Sequence, residues 1–524
     1  MTLRALVVLT AALLGASSVQ AVQPSTEVAA QRGPYIFNAV FDSLRRYGTA
    51  FHYNGMSLYL ATVPEGVFFH HGSGKNATPT SFDWLAYEIE HAEIFARQNF
   101  GSPGKEGRPD DGERSNGMPG ESSSLSVLAP SPHHRRVSPF VGLGRSDQIA
   151  LDGHDRDSDE GSTKDEEETH GWLHIYRTTR PLQFLYIDGM SGDKGSGGVI
   201  DTQDYLLRAE TGMPDPAERP KPTPGPKPPG APPGPAGEFS RAEELCALCA
   251  QWQLQGVIRT EGAGTEIIKC DFFDGLEEVQ SLQRSDNAKR PRFPSGPPRG
   301  FSGTFNPEYG FRDIGAHRTV LDYQSMVSAF FFPVNLTNPD SERASFPRLI
   351  SASNDELVAI KAYLADVVEK RRCATLAPYN WRDVADLVVR RYASPLTALA
   401  NSSSESANAA EDFSDAVQLM LNIFVDFSVT DAKQREAEAL DRCAKFYVRT
   451  QEPLTTEADK LISAGFEAVN AKICETLFNA LHTVAGKNNT DGTLAVETAK
   501  ASITALIAHL DWSVFERDLE RSEL

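Results

Sequence analysis

Hydrophobic residues between positions 35 and 188 follow two periodicities. Some runs alternate apolar and polar residues, which predicts strands, whereas others repeat at helical spacing. The predicted helices are 35–46 and 88–99, and the predicted strands are 56–63, 66–71, 82–87, 173–178 and 182–188. Only Arg180-Pro181 separates the last two strands, which we expect to pair. This part of the chain is predicted to be a small α+β domain.

Beyond position 239 the helical periodicity dominates. A first helix at 241–256 and a strand at 266–273 precede a series of amphipathic runs. Asn354 is the expected N-cap of the first of these runs. The predicted helices of the series are 354–372, 381–392, 412–427, 431–450, 457–484 and 493–519.

Composition marks the joins between these parts. Residues 101–168 are rich in Gly, Ser, Pro and acidic residues, which predicts a disordered acidic insertion because such a segment buries little apolar surface. Residues 213–238 are proline-rich and predict an extended linker. The expected fold is an α+β N-terminal domain at 34–212 with a long disordered insertion, a Pro-rich linker, and a mainly α-helical, disulfide-containing domain at 239–524.

The N-terminus predicts export. Residues 1–21 combine one basic residue, a short apolar run and small residues before Ala21, which is typical of a cleavable signal peptide. No later run reaches the roughly 18 apolar residues of a membrane span. Four glycosylation sequons are consistent with a secreted, extracellular glycoprotein; they begin at Asn76, Asn335, Asn401 and Asn488.

The six cysteines all follow the proline-rich stretch, and their even number predicts disulfides in an oxidising compartment. Cys246 and Cys249 are spaced like a redox pair, but no thioredoxin-like strand precedes them. A zinc site is not expected either, because no second pair of cysteines or histidines follows at the spacing of zinc ligands. We therefore predict structural disulfides for both, with the pairing open.

The chain carries a formal net charge of −20, with a pI of about 5.1. This charge disfavours nucleic acid and anionic membrane surfaces as partners. The expected partner is a protein or a small molecule, which sequence does not identify.

Candidate chemistry begins with His70 and His71, which end a predicted strand and precede Gly72 and Ser73. Glycine there permits a positive φ and close approach of a ligand. A histidine at this place can hydrogen-bond a sugar hydroxyl or act as an acid or base. Two solvated histidines at a strand end are the alternative.

The run FFHHGSG, followed by WLAYEIEHAEIFA, resembles the opening of ADP-ribosyltransferase-type folds. The resemblance implies a domain that binds or consumes NAD, with ribose and nicotinamide held at this strand end. The family's catalytic glutamate has no clear equivalent, and Gln203 and Asp204 are the nearest candidates. The implied ribose-binding and stacking residues are His71, Gly72, Ser73, Trp84 and Tyr87, with Phe95 as a further stacking candidate.

A second resemblance covers most of the ordered chain. Runs such as GPYIFNAVFDSLRRYG, LYIDGMSGDKGSGGVIDTQD and VLDYQSMVSAFFFPVNLTN resemble a family of uncharacterised secreted proteins of filamentous fungi. This resemblance implies an exported fungal protein and brings no established activity.

Other chemistries fit less well. Ser191 in Asp-Gly-Met-Ser lacks the second glycine of a nucleophile elbow. Glu88 and Glu90, two residues apart on a predicted helix, do not face each other as a glycosidase pair would. A metal site is not expected, because the histidines and glutamates lack a metal-binding motif.

Two functions follow from the sequence. The first is a non-enzymatic, secreted interaction protein whose helical domain supplies the partner surface. The second is an ADP-ribosyltransferase-like enzyme in which His71 holds ribose, Trp84 stacks on nicotinamide, and Gln203 or Asp204 polarises the ribose. The second requires these side chains to meet in one cleft.

Overall fold

The computed structural model describes residues 22–96, 171–193, 197–219, 237–261, 264–284, 318–374, 380–406, 408–451, 453–485 and 489–515. The predicted signal peptide, the insertion at 101–168 and residues 220–236 of the proline-rich stretch lie outside these ranges. The expected α+β N-terminal part and the mainly helical C-terminal part are both confirmed.

Nine strands form one sheet in the order β8-β4-β2-β3-β7-β6-β5-β1-β9. Among the described strands, neighbours run antiparallel except for β5 and β6, which are parallel. The strands are β1 Ser57–Val63, β2 Phe68–Ser73, β3 Asp83–Ala86, β4 Trp172–Thr178, β5 Leu182–Ile187, β6 Gly256–Glu261, β7 Gly264–Lys269, β8 Leu276–Gln283 and β9 Val320–Ser328.

The expected pairing of β4 with β5 is wrong. β4 pairs with β2 and β8, whereas β5 pairs with β1 and β6. The breaks at Pro64–Val67 and Thr178–Pro181 hydrogen-bond to each other, with the Thr178 hydroxyl donating to the Pro64 carbonyl at 2.7 Å. β4 and β5 are thus separated at Arg180-Pro181, where proline has no N–H with which to continue a ladder of hydrogen bonds.

The sheet does not end at the proline-rich stretch. Strands β6, β7, β8 and β9 all follow residue 238, and β6 and β7 complete its centre. A boundary at 213–238 thus does not coincide with an edge of the sheet. Proline-rich composition indicates an extended segment, which can connect two parts of one sheet as well as two domains.

α10 matches its predicted range, whereas the bounds of α2, α7, α8 and α11 differ from the predicted ones by several residues and α1 and α3 were not predicted. α10 packs against α1, α2, α8, α9, α11 and β9, so the helical region rests on the sheet. The helices are α1 Thr26–Gln31, α2 Gly33–Phe41, α3 Arg46–Phe51, α4 Ile89–Phe95, α5 Glu238–Trp252, α6 Asn354–Arg371, α7 Trp381–Ala400, α8 Ala409–Leu421, α9 Ala432–Lys445, α10 Glu457–Val484 and α11 Asn489–Leu510.

The N-cap of α6 is Ser353 rather than the expected Asn354. The Ser353 hydroxyl accepts the Glu356 N–H, and the Glu356 carboxylate accepts the Ser353 N–H, which forms a capping box. The side chain of Asn354 is used elsewhere, since it accepts from Arg219 and donates to the Glu210 carbonyl.

One hydrophobic core runs from Ala29 to Phe515 and includes side chains of both the sheet and the helices. Two disulfides reinforce it: Cys246–Cys270 and Cys443–Cys474. The expectation of a disulfide at Cys249 is wrong, because that thiol is buried and unbonded. Cys270 bonds Cys246, which lies one turn before Cys249 on α5. None of the described helices is long and apolar enough to cross a membrane.

Candidate functional site

His71 lies near the end of β2 and is buried, so it is not a solvated strand-end histidine. Its Nδ1 lies 2.8 Å from the Trp84 carbonyl oxygen. Its Nε2 lies 3.9 Å from Asp83 Oδ2 and has no hydrogen-bond partner in the described part of the chain. The ring also packs against Phe272 and His174. This arrangement holds the imidazole in one orientation.

Gly72 serves packing rather than ligand approach. A Cβ atom at this position would collide with backbone atoms of Ala92 and Phe95 in α4 and of Ala96 directly after it. Its φ is not positive, and neither is that of Gly74. The glycine therefore lets a helix approach the sheet closely, which is a different use of the same missing side chain. Ser73 next to it is half-buried, and its hydroxyl accepts the Lys75 N–H.

Trp84 and His71 point to opposite faces of the sheet. His70 is paired with Ala86, so Trp84, two residues before Ala86, shares the face of His70. The Trp84 ring meets the Phe239 ring edge-on at 5.0 Å. The His71 imidazole therefore contacts the carbonyl oxygen of Trp84 and lies on the other side of the sheet from its ring.

Tyr87 is part of the core. Its ring stacks on Phe69 at 5.0 Å, and its hydroxyl lies 2.5 Å from the Thr319 hydroxyl. Arg318 lies 4.7 Å over the same ring. Burial raises the pKa of Tyr87, so its phenol stays neutral. These contacts occupy the ring that was expected to stack on nicotinamide.

Gln203 and Asp204 lie in a π-helical turn, Thr202–Leu207, after β5. The Gln203 amide donates to the Ser191 carbonyl and accepts from Arg259, both at 2.7 Å. The Asp204 carboxylate accepts from Arg241 at 2.7 and 3.0 Å. In the described ranges these partners include none of the residues that contact the His71 side chain.

Arg259 is the centre of this charged cluster and is buried on β6. It pairs with Glu238 at the start of α5 and with Glu266 on β7. Burial lowers the pKa of Arg259, but the two carboxylates outweigh burial and raise it. These buried ion pairs hold β6, β7 and α5 together, because removing one partner leaves an uncompensated charge.

A small polar pocket lies elsewhere, where the chain leaves β5 and where α3 leads into β1. Sequence patterns did not identify it. It brings together side chains from α2, the 52–54 loop, the end of β5, and the segments after β9 and α11. The pocket is lined by Tyr35, Asn38, Ala39, His52, Asn54, Asp188, Phe330, Ser345, Phe346, Pro347 and Asp511.

His52 carries a charge in this pocket. Its Nδ1 lies 2.7 Å from Asp42 Oδ2, and its Nε2 lies 3.4 Å from Asp511 Oδ2. Burial lowers the pKa of His52, but the interactions with Asp42 and Asp511 outweigh it and raise the pKa to about 9. The ring is therefore an imidazolium at neutral pH, oriented by Asp42.

Asp188 follows β5 and is buried at the same pocket. Burial raises its pKa to about 7, although the Ser57 N–H at 2.8 Å and the charge of His52 partly oppose this effect. A carboxyl that titrates near neutral pH beside a charged imidazole can accept or donate a proton. Concave position and shifted pKa values make this the candidate site of the molecule.

Two other chemistries have no support in the structure. Ser191 is buried and donates to the Ile187 carbonyl at 2.8 Å, so it is not an exposed nucleophile. Three or more metal-ligating side chains do not come together anywhere in the described residues. His91 and His174 are each paired with a separate glutamate, Glu261 and Glu278.

The local sequence around the pocket gave one signal that could have been used. Two of the runs that carry the fungal resemblance, at 33–48 and at 185–204, contain Asn38, Asp42 and Asp188. The resemblance assigns no role to these three residues. Nothing in their spacing joins them, because His52 and Asp511 come from distant parts of the chain.

Two families and two relatives match the chain. Residues 26–297 match the family described as the YPL277C N-terminal domain, and residues 380–487 match the YPL277C C-terminal domain. Uncharacterized protein YOR389W of Saccharomyces cerevisiae is 24% identical over 546 residues, which cover 93% of this chain and 79% of that protein. Uncharacterized protein YPL277C of the same yeast is 27% identical over 255 residues, which cover 47% of this chain and 42% of that protein.

No solved structure matches the chain. Neither family description names an ADP-ribosyltransferase, so that resemblance gains no support from these matches. The expected membership of an uncharacterised fungal family does gain support, because both relatives are yeast proteins. Since the first match spans more than half of the chain, the protein belongs to the YPL277C N-terminal domain family and also contains the matching C-terminal domain.

Proposed function

We propose that this protein is an exported, non-enzymatic interaction protein whose helical region contacts the partner. The observation that carries the proposal is a row of exposed apolar side chains that begins near the end of α8 and continues through the turns after it. The polar residues proposed for NAD chemistry, in contrast, are held in internal contacts.

The row consists of Leu419, Ile423 and Phe427, which are spaced four residues apart and are 79%, 57% and 69% exposed. Leu419 lies on α8, Ile423 lies in the 3-10 turn Asn422–Phe424 that follows it, and Phe427 lies in the next turn. Phe446 at the end of α9 extends the surface, since its ring lies 5.4 Å from the Phe424 ring beneath the row. Contiguous exposed apolar side chains are typical of interaction sites.

Export is supported by the disulfides. Cys443–Cys474 joins α9 to α10, and Cys246–Cys270 joins α5 to the residue after β7. Disulfides form and persist in oxidising compartments. Three of the predicted glycosylation asparagines, Asn76, Asn335 and Asn401, are exposed and lie outside helices and strands, as a glycan requires. Asn488 lies outside the described residues.

The test compares tagged wild-type protein with a Leu419→Ser/Phe427→Ser double variant by cross-linking in fungal culture medium and on fungal cells. We expect cross-links from α8 and α9 to a recurring partner, and their loss in the double variant. Leu494→Ser on α11 is the matched control, because Leu494 is 71% exposed and lies outside the row. Equal cross-linking by all three proteins would exclude the row as the partner surface.

The alternative, an NAD-consuming ADP-ribosyltransferase-like enzyme, is favoured by one observation. His71 Nε2 is buried without a hydrogen-bond partner among the described residues, so it could bind a ribose hydroxyl. The measurement is nicotinamide release from NAD by wild type, His71→Ala and His70→Ala, where His70 is the neighbour on the opposite face. We expect background release from all three. Release that only His71→Ala abolishes would establish the alternative.

A further inference from the structure

We propose that the row of Leu419, Ile423 and Phe427 binds a basic amphipathic segment of another protein, which covers the row with apolar side chains and sets cations against the acidic groups beside it. This proposal rests on the proposed function, because it names the kind of partner that the row would contact. The acidic groups and the row are separate sets of side chains, so the two proposals can fail separately.

The row lies in a part of the chain that contains acidic residues and no basic ones. Between Arg391 and Lys433 the sequence has no lysine, arginine or histidine. The same interval contains six acidic residues, which are all exposed: Glu405, Glu411, Asp412, Asp415, Asp426 and Asp431. An apolar surface with one sign of charge around it favours a partner of the opposite sign.

Two of these carboxylates share the exposed face of α8 with Leu419. Asp412 and Asp415 come seven and four residues before Leu419, and side chains at such spacings lie on the same side of a helix. The other side of α8 is buried, through side chains such as Phe413 and Val417. Within the described ranges no ion pair joins either carboxylate to a cation. Their charges are therefore available to a partner that covers the row.

A third carboxylate lies at the other end of the row. Asp426 directly precedes Phe427, and its Oδ1 accepts the Ser428 hydroxyl at 2.7 Å and the Ser428 N–H at 2.9 Å. These two bonds lower the pKa of Asp426, so the side chain is charged at neutral pH. Negative charge thus flanks the row both on α8 and in the turn where the row ends.

The arginines near the row are held by contacts within the chain. Arg442 pairs with Glu438, and Arg435 lies 5.8 Å from the centroid of the Phe427 ring. Half-buried and each donating to a backbone carbonyl, of Met420, Val429 and Phe424 respectively, are Arg391, Arg435 and Arg442. These acceptors offset part of the arginine charge, whereas the carboxylates on α8 face solvent.

The combination of apolar and acidic groups selects among possible occupants. A second copy of this chain would bring two acidic surfaces together, and an anionic membrane is opposed for the same reason. A basic amphipathic segment matches both parts of the surface, since one face covers the row and its cations meet the carboxylates. The exposed rings of Phe427 and Phe446 add to this preference, because the face of an aromatic ring attracts cations.

The experiment titrates the full chain with three labelled peptides and follows their fluorescence anisotropy. The first peptide has about 18 residues, with leucine at helical spacing and lysine elsewhere. The second has glutamate in place of lysine, and the third has serine in place of leucine. We expect saturable binding of the first alone, at least tenfold weaker at ~0.5 M than at ~0.05 M salt, because salt screens the charges. Equal binding of another peptide, affinity that salt does not change, or no binding of the first would overturn the proposal.

Asp412→Asn/Asp415→Asn removes two charges beside the row and should weaken binding of the leucine–lysine peptide at least fivefold. Glu65→Gln/Glu243→Gln is the matched control, because it also removes two exposed charges, one in the turn between β1 and β2 and one on α5. Affinity that is the same in the two double variants would exclude the acidic groups of α8 as a partner contact.

Cross-linking of the native partner separates this proposal from the proposed function. We expect loss of the cross-links in both Leu419→Ser/Phe427→Ser and Asp412→Asn/Asp415→Asn. Loss in the first variant alone would keep the row as the partner surface and overturn a basic partner, whereas loss in neither would overturn both proposals. Binding to zwitterionic vesicles, or dimerisation in sedimentation, that Leu419→Ser/Phe427→Ser abolishes would assign the row to a membrane or to a second copy instead.

Discussion

At the scale of single residues, the side chains with unusual protonation behaviour, Asp188 and His52, belong to no recognisable sequence motif. The pKa values of both groups are raised, but for different physical reasons. Burial is the main reason that the pKa of Asp188 is raised to about 7, whereas the carboxylates of Asp42 and Asp511 raise the pKa of His52 and keep it charged. His71, the residue that the sequence singled out, is oriented by the Trp84 carbonyl and meets neither Gln203 nor Asp204.

Asp188 makes the stability of the protein depend on pH. Its folded pKa of about 7 lies above the ordinary value of 3.8, so between these two values the folded state holds a proton that the unfolded state has lost. The free energy of unfolding should therefore fall as pH rises from about 4 to about 7, and this contribution should level off above that.

Asp188→Asn removes this titration and keeps an oxygen for the Ser57 N–H. Urea unfolding at pH 4, 5, 6 and 7 should show the variant gaining stability over wild type as pH rises, by at most about 4 kcal/mol. Asp412→Asn on the exposed face of α8 should show a constant difference. Parallel pH profiles for wild type and Asp188→Asn would contradict the assignment.

At the scale of elements, close approach and capping explain the local geometry. Gly72 lets α4 lie directly on β2, and Ser353 with Glu356 begins α6. The sequence predicted a ligand-binding role for Gly72 and an N-cap role for Asn354, the residue after Ser353. The observed roles, close packing at Gly72 and capping by Ser353, differ from these predictions because a glycine or a polar residue in a turn is compatible with several local roles.

Gly72→Ala tests the packing role. The added methyl group would meet α4 backbone atoms, which cannot rotate away, so the helix must shift. We expect a loss of about 1–3 kcal/mol in the free energy of unfolding, measured by denaturant titration. Ser73→Ala, the neighbouring substitution at a half-buried position, should change it little. Equal effects of the two substitutions would mean that α4 does not rest on Gly72.

At the scale of the whole molecule, one core unites a sheet and a helical region that the sequence divided into two domains. α2 near the N-terminus and α11 near the C-terminus meet through the Asn38 bonds to the Leu510 and Asp511 carbonyls. Strands from both sides of the proline-rich stretch share the sheet. The helices α2 and α11, which lie far apart in the sequence, therefore contribute to the same core.

The disulfide between α9 and α10 should stabilise this arrangement as a whole. Cys443→Ser should lower the free energy of unfolding by about 2–5 kcal/mol, because the loop between the cysteines is no longer constrained in the unfolded chain. Cys373→Ser, at an exposed unbonded cysteine, is the control. Thermal unfolding and non-reducing peptide maps measure both effects. Identical behaviour of the two variants would show that Cys443 and Cys474 are not bonded.

The sequence by itself determined many of the helices and strands, but it predicted neither the strands β6, β8 and β9 nor the short helices α1 and α3. The predicted 457–484 helix coincides with α10, and β1, β4 and β5 lie within a residue of their predicted bounds. Such features are local, because apolar periodicity and breaks such as Arg180-Pro181 act over a few residues. The helical C-terminal part followed from the same periodicity.

Only the tertiary structure decided which strands pair, which cysteines bond and where the polar pocket lies. Each of these depends on contacts between distant residues: Asp42 meets Ser513, Ser57 meets Asp188, and β4 leaves β5 for β2. The burial that raises the pKa of Asp188 and the carboxylates that keep His52 charged exist only once the chain has closed around them. Spacing along the chain carries no record of such contacts, because they are selected by the packing of the whole core.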